Sequence, residues 1–494
     1  MSISLPLIFQ NNMVLQRRKP ISVWGTAEDC ASVTLELGGA KTICPVEDGC
    51  WKGYLPPMEA AVGLSLTVSS EDHTVVISNV ALGEVWIAGG QSNMEFLLKY
   101  DAEKETALTI EDTDIRCFEI PKISFPGQEK YYRMSDAGFW RKACPEESGG
   151  FSAVGFYFAL ALKEKLGVPI GIINCTWGGT SASCWVGEEY LTGDLQFYLD
   201  KAHEVQSGMD YGKELPNYID IQKRILESGI DMGKPNLAPI TPLIDEAMHE
   251  RLMTMNNWPF SAFRPCGLYE LMLKTIVPFT VSGVIWYQGE SDEYFSEHYE
   301  SAMKAVIRCW RDQWKQTLPF IMVQLASFEV MAEYLDFVAI RKAQERIART
   351  VEQTYMVTAM DVGMRYDIHP KRKRPIGTRL AWQALDKVYG WHICADSPTV
   401  DRVFFSGNNI VVSMKHTHGG LTVQGEKPKT FEVFLDGKKD ENVLVQVSAG
   451  SITIQTDKAA QTARIAFCQK PWCELNVYSS QGLPVLPFDV TVTR

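Results

Sequence analysis

Cysteine is scarce in this chain and poorly spaced for metal or redox chemistry. Twelve occur in 494 residues, with no C-x-x-C pair, which leaves neither a zinc ribbon nor a thioredoxin-like motif; the twelve read as reduced and mostly buried. Net positive charge is lacking as well. Lys and Arg number 48 against 60 Asp and Glu, a formal net charge of −12, the wrong sign for a chain that must neutralise phosphate backbones or anionic lipid. Nucleic acid and membrane are therefore not expected as partners. No apolar run approaches the roughly 20 residues that a bilayer span requires. The opening MSISLPLIFQNNMVLQRRKP has no basic region ahead of an apolar stretch and no small-residue cleavage site, so the expectation is a cytoplasmic protein without a signal peptide.

Several motifs are missing too. Glycine never recurs as G-x-G, and G-x-x-x-x-G-K, H-E-x-x-H and G-x-S-x-G are absent, so phosphate cradling, a zincin centre and the α/β-hydrolase elbow have no support. The eight histidines are scattered, with only His416 and His418 close together. Neither a metal nor an organic cofactor is expected.

What is present is an ordinary globular composition, 46% apolar and 22% charged, far from the signature of disorder. Residues 1–82 alternate apolar and polar residues in short bursts such as Val33-Thr34-Leu35-Glu36-Leu37, broken by Gly and Pro, and read as an all-β module. From residue 83 to about 395, continuous apolar runs alternate with helix-period segments, the pattern of parallel strands covered by helices. The expected strands are Glu84–Ala88, Ile170–Cys175, Val281–Tyr287, Phe320–Leu325 and Tyr355–Met360. Helical spacing is visible in Phe151, Val154, Phe158, Leu162 and Leu166, and in Tyr299, Met303, Val306, Trp310 and Trp314. A Met-rich stretch of mixed charge, about 195–257, reads as an insertion that could roof a site. The β grammar returns over 396–494.

Ser92 stands where an expected parallel strand passes through Gly89-Gly90-Gln91 into a helix-like segment, at the sheet edge where α/β proteins bind ligands. Its own N–H could face a developing oxyanion, although the same pattern suits an N-cap serine after a glycine turn. The G-Q-S-N-M motif after G-E-V-W-I-A, together with W-G-G-T, W-Y-Q-G-E-S-D and a late H-P, resembles the sialate O-acetylesterase family of the SGNH-hydrolase superfamily. Asn12–Gln16, Phe151–Gly155, Arg341–Gln344 and Gly482–Pro484 extend the likeness over nearly the whole chain outside the insertion.

The resemblance implies a flavodoxin-like α/β/α sandwich flanked by β modules, and a serine esterase that removes O-acetyl groups from sugars. Ser92 is then the nucleophile and His369 the base. Asp367 is the expected acid, at a D-x-H spacing where the superfamily writes D-x-x-H; before Pro370 the chain is extended, so residues two apart share a face and Asp367 could reach Nδ1 of His369. Glu290 and Asp361 are the other acids near motif positions. The implied oxyanion donors are the N–H groups of Ser92 and Gly179, with Gly178 close behind, and the Gln288 amide in place of the superfamily's Asn.

Gln91, Asn93 and Glu290 are expected to support the site. Trp177, Trp185 and Arg264 are candidate sugar contacts, with buried packing the competing role for the tryptophans. The base is expected to titrate near the ordinary histidine value of about 6.5. The basic run Lys371–Arg374 reads as solvated. Two other readings stay open: an esterase for acetylated xylo- or manno-oligosaccharides, and a noncatalytic carbohydrate-binding protein. A monomer and a homo-oligomer are not distinguished.

Overall fold

The computed structural model describes residues 2–128, 137–227, 256–329 and 336–494. A parallel sheet forms from β1 (Thr74–Gly90), β2 (Asp112–Glu119), β3 (Ile170–Thr176), β4 (Gly283–Tyr287), β5 (Phe320–Gln324) and β6 (Thr354–Thr358). Its spatial order is β2-β3-β1-β4-β5-β6. Every residue of β3, β4 and β5 is buried, as apolar runs require when both faces of a sheet are covered. The expected strands are all present, four with slightly shifted ends and Glu84–Ala88 as the last part of a strand that begins at Thr74. β2 escaped expectation because its four buried residues, Ile115-Arg116-Cys117-Phe118, are interrupted by arginine and bracketed by acids.

Around the sheet lie α1 (Ser92–Glu95), α2 (Ala153–Leu166), α3 (Tyr299–Trp314), α4 (Phe337–Thr350) and α5 (Arg374–Lys387). Ser152 caps α2 by accepting from Gly155 N–H, and Gly167 ends it in the left-handed conformation, the usual start and stop signals. Of the expected insertion, helices Gln196–Ser207 and Tyr211–Glu227 are seen, with Tyr218 and Ile219 packed beside Phe125 and Phe260. Residues 228–255 of that insertion lie outside the described residues.

β1 is 17 residues long and belongs to both halves of the fold. Its first part pairs antiparallel with Ala61–Ser69, and its second runs parallel to β3 and β4. The chain crosses residue 82 without a break, and the N-terminal strands share one hydrophobic core with the parallel sheet. Within that junction the buried Glu84 carboxylate accepts from Arg17 at 2.6 Å, Gln16 at 2.9 Å, Ser282 at 2.5 Å and Tyr389 at 3.0 Å. The C-terminal strands build two four-stranded sheets and one two-stranded sheet around a separate core.

Arg341 on α4 joins that C-terminal region to the parallel sheet. Its side chain is buried and donates to Leu325 O, Ala326 O, Lys470 O and Pro471 O at 2.7–3.2 Å. Removing the guanidinium orphans several buried carbonyls at once, and each such group costs on the order of 1–3 kcal/mol. Arg341→Leu is therefore expected to destabilise the chain by about 3 kcal/mol or more, read as a fall in the denaturant midpoint. A change within about 1 kcal/mol would show that Arg341 does not hold the two regions together.

Candidate active site

β1 ends at Gly90, where φ is +132° and a Cβ would stand 2.1 Å from Tyr287 O of β4. Only glycine tolerates both the angle and the approach, and the turn it permits starts α1 at the carboxyl edge of the sheet. Ser92, the first residue of α1, directs Oγ to Nε2 of His369 at 2.8 Å. The two expected reacting groups, 277 residues apart in sequence, thus meet at hydrogen-bond distance.

Asp367 lies beside them, but the expected bond to the ring is not made. Its Oδ1 is 3.9 Å from His369 Nδ1 and instead accepts the His369 backbone N–H at 2.9 Å, while Oδ2 pairs with Lys371 Nζ at 2.8 Å. The reason is local. An Asp two residues ahead favours its own backbone turn over the neighbouring side chain. The alternative acids are engaged elsewhere: Asp361 forms two 2.7 Å bonds with Arg379, and Glu290 holds Asn93.

The W-G-G-T turn lies against the nucleophile, and a Cβ on Gly178 would stand 3.3 Å from that of Ser92. The N–H of Gly178 donates to Glu95 Oε2 at 2.7 Å, which removes it as an oxyanion donor. Gly179 is exposed, at φ +78°. Gln288 does not fit its expected role. It is fully buried, and its Nε2 is within reach of Gln91 Oε1 at 3.2 Å, Thr180 O at 3.1 Å and Asp292 Oδ2. Two N–H groups facing three acceptors leave none for a substrate. Gln288 braces the loop below the site.

The supporting residues form a buried lattice. Gln91 Oε1 accepts from Gln288 and from the Gly289 and Ser291 N–H groups. Asn93 Nδ2 donates to Glu290 Oε1 at 2.5 Å and to Ile368 O, next to His369, at 3.0 Å. Its Oδ1 accepts from Lys373 Nζ. Lys373 is wholly buried, a correction to the solvated reading of Lys371–Arg374, in which only Arg372 is exposed. Charge density in a loop gave no sign of this inward turn; the helix beginning at Arg374 supplies it.

Trp185 is also corrected. It is fully buried, with Nε1 bonded to Thr180 Oγ1 at 3.0 Å, and cannot stack on a sugar. Trp177 is partly exposed, with Lys122 Nζ 5.9 Å from its ring centre. Arg264 is partly buried and follows Phe263, whose ring lies 3.1 Å from where a Gly179 Cβ would be. Its Nε has no hydrogen-bond partner among the described residues.

Comparison with known proteins agrees with the chemistry this site allows. Residues 254–386 match the family model described as carbohydrate esterase, sialic acid-specific acetylesterase. The sialate O-acetylesterase of Rattus norvegicus is 25% identical, covering 98% of this chain and 93% of that one; the Homo sapiens protein is 25% identical, covering 98% and 91%. The crystal structure of a carbohydrate acetylesterase from Xanthomonas citri superposes with a TM-score of 0.76 at 26% identity, over 99% of each chain. The chain is a carboxylic ester hydrolase. Its likeness to the sialate O-acetylesterases extends over nearly its whole length.

The environment of His369 corrects its expected titration. Burial, reinforced by Lys373 and Lys371 and opposed by Asp367 and Glu95, pushes the imidazole down to about 4. A base must be neutral to accept a proton, so the low value keeps it competent into acid solution. The acid limb of kcat/KM is therefore expected at half height near pH 4. A limb centred near the ordinary value of about 6.5 would contradict this description of the site.

Proposed function

We propose that this chain releases acetate from O-acetylated sugars through an acetyl-enzyme on Ser92. The 2.8 Å contact between Ser92 Oγ and His369 Nε2 at the carboxyl edge of the sheet carries the reading. Ser92 attacks the acetyl carbonyl as His369 takes the hydroxyl proton. His369 then returns that proton to the departing sugar oxygen, and water, activated by the same imidazole, releases acetate from Ser92. The backbone N–H groups of Ser92 and Gly179 are the proposed oxyanion donors. Asp367 fixes the His369 backbone and, 3.9 Å from Nδ1, stabilises the imidazolium by its charge. Trp177 and Arg264 are the proposed sugar contacts.

The fold is read as a flavodoxin-like sandwich of the SGNH type, with 1–82, 83–395 and 396–494 as its units. Taken in chain order, β1, β3, β4, β5 and β6 lie side by side as second, first, third, fourth and fifth. Ser92 follows β1 and the Gln288–Glu290 loop follows β4, one on each side of the switch point where such sheets bind ligands. Relatives are named as sialate O-acetylesterases and, in Xanthomonas citri, as a carbohydrate acetylesterase; an acetylated sialic acid or another acetylated sugar is the proposed substrate.

Ser92→Ala is expected to keep the wild-type thermal midpoint and to lower kcat by up to about 10⁶-fold. Retention of more than about a tenth of the acetate-releasing activity would refute the nucleophile. Because Asp367 does not bond the ring, Asp367→Asn should lower kcat by only about 10- to 100-fold, well short of the ~10⁴ lost when a directly bonded triad acid is replaced. A loss near 10⁴ would mean that Asp367 reaches Nδ1 during turnover.

A further inference from the structure

Lys373 is the unusual residue of this centre. It is wholly buried, and among the described residues its ammonium makes one hydrogen bond, to Asn93 Oδ1, and no ion pair. The rings of Phe96 and Tyr287 stand 4.8 and 5.4 Å from Nζ. Its backbone N–H donates to Asp101 Oδ2 at 2.9 Å, whose Oδ1 accepts from Tyr157. Burying an ammonium without a directly bonded carboxylate costs several kcal/mol, and a methionine would fill the space without that cost. A residue kept there at such expense, beside the base, calls for a functional account.

The Asn93 carboxamide provides one. It follows the proposed nucleophile directly in sequence and is bonded to Glu290 of the β4 loop and to Ile368 O beside the proposed base. Three segments of the site meet at this amide. Nδ2 is engaged by those two acceptors, and Lys373, donating to Oδ1, holds the other side of the amide.

We propose that Lys373 is a positioning residue of the esterase site: its buried ammonium fixes the Asn93 carboxamide between the nucleophile and base segments and sets a positive charge against His369. The proposal rests on the reading of Ser92 and His369 as nucleophile and base. The charged groups acting on His369 are Lys373, Lys371, Asp367 and Glu95; those acting on Lys373 are Glu290, Lys371, Asp101 and Asp367. Burial brings Lys373 itself down to about 7, so it remains charged in the range where His369 titrates.

Two variants of the full chain separate charge from position. Lys373→Met removes both, and should lower the plateau kcat about tenfold while moving the acid limb of kcat/KM up by about one pH unit. Lys373→Gln keeps a donor for Asn93 without the charge; its limb should move likewise while its plateau kcat recovers. Arg372→Gln, an exposed neighbouring charge, should move neither. An unmoved limb in a folded Lys373 variant overturns the proposal. If neither variant folds, the His369 ring resonance of the wild type, assigned by its loss in His369→Gln, decides. A second step in that resonance near pH 7, where Lys373 loses its charge, upholds the charge effect, and a resonance that does not respond there overturns the proposal. The two levels fail separately: an inactive Ser92→Ala with unmoved Lys373 variants removes only this inference, whereas an active Ser92→Ala removes the reading beneath it.

Discussion

A hydrogen bond of 2.8 Å between Ser92 and His369 is the contact the rest of the fold has to hold. Neither residue sits within a long regular element. Ser92 opens a four-residue helix, and His369 lies in the loop between β6 and α5. Their separation is therefore set by what surrounds them: Gly90 pressed on Tyr287, the W-G-G-T turn against Ser92, and Asn93 tied to Ile368. A displacement of about 1 Å in such a pair can cost two orders of magnitude in rate. That sensitivity gives a reason for the number of buried polar residues spent on bracing it.

Further braces come from α4. Gln344 of α4 donates to Gln288 O at 3.1 Å and to Val323 O at 3.2 Å, and accepts from Leu325 N–H at 2.9 Å, so the loop after β4 is pinned from behind. Arg341, one helical turn earlier, carries the same helix to the C-terminal region. The site thus rests on the sheet junctions. Its electrostatics follow from the same burial: Glu290 is raised and His369 lowered, each chiefly by desolvation.

Five of the six parallel strands were readable in the sequence because burial on both faces demands unbroken apolar runs, and Val284–Tyr287 or Ile170–Cys175 are too apolar to be much else. Ser92 and His369 stand out as candidate nucleophile and base through the likeness of their motifs to a known family; local pattern alone suits an N-cap serine equally well. What could not be read were hydrogen bonds whose donors have more than one acceptor in reach. Gln288 is a good neutral donor in any alignment of motifs, yet Asp292, four residues on, claims it. Asp367 shares a face with His369 but satisfies the backbone first. Lys373 looked like one more solvated charge, because nothing in a run of basic residues tells which of them the following helix turns inward.

The central claim is that Ser92 carries the acetyl group between the two halves of the reaction. The most direct measurement is rapid acid quenching after mixing with an activated aryl acetate, followed by peptide mapping. The account predicts an acetyl group on the peptide containing Ser92, formed before steady state and absent in His369→Ala. Full turnover with no acetylated peptide, or an acetyl group lodged on another residue, would contradict it.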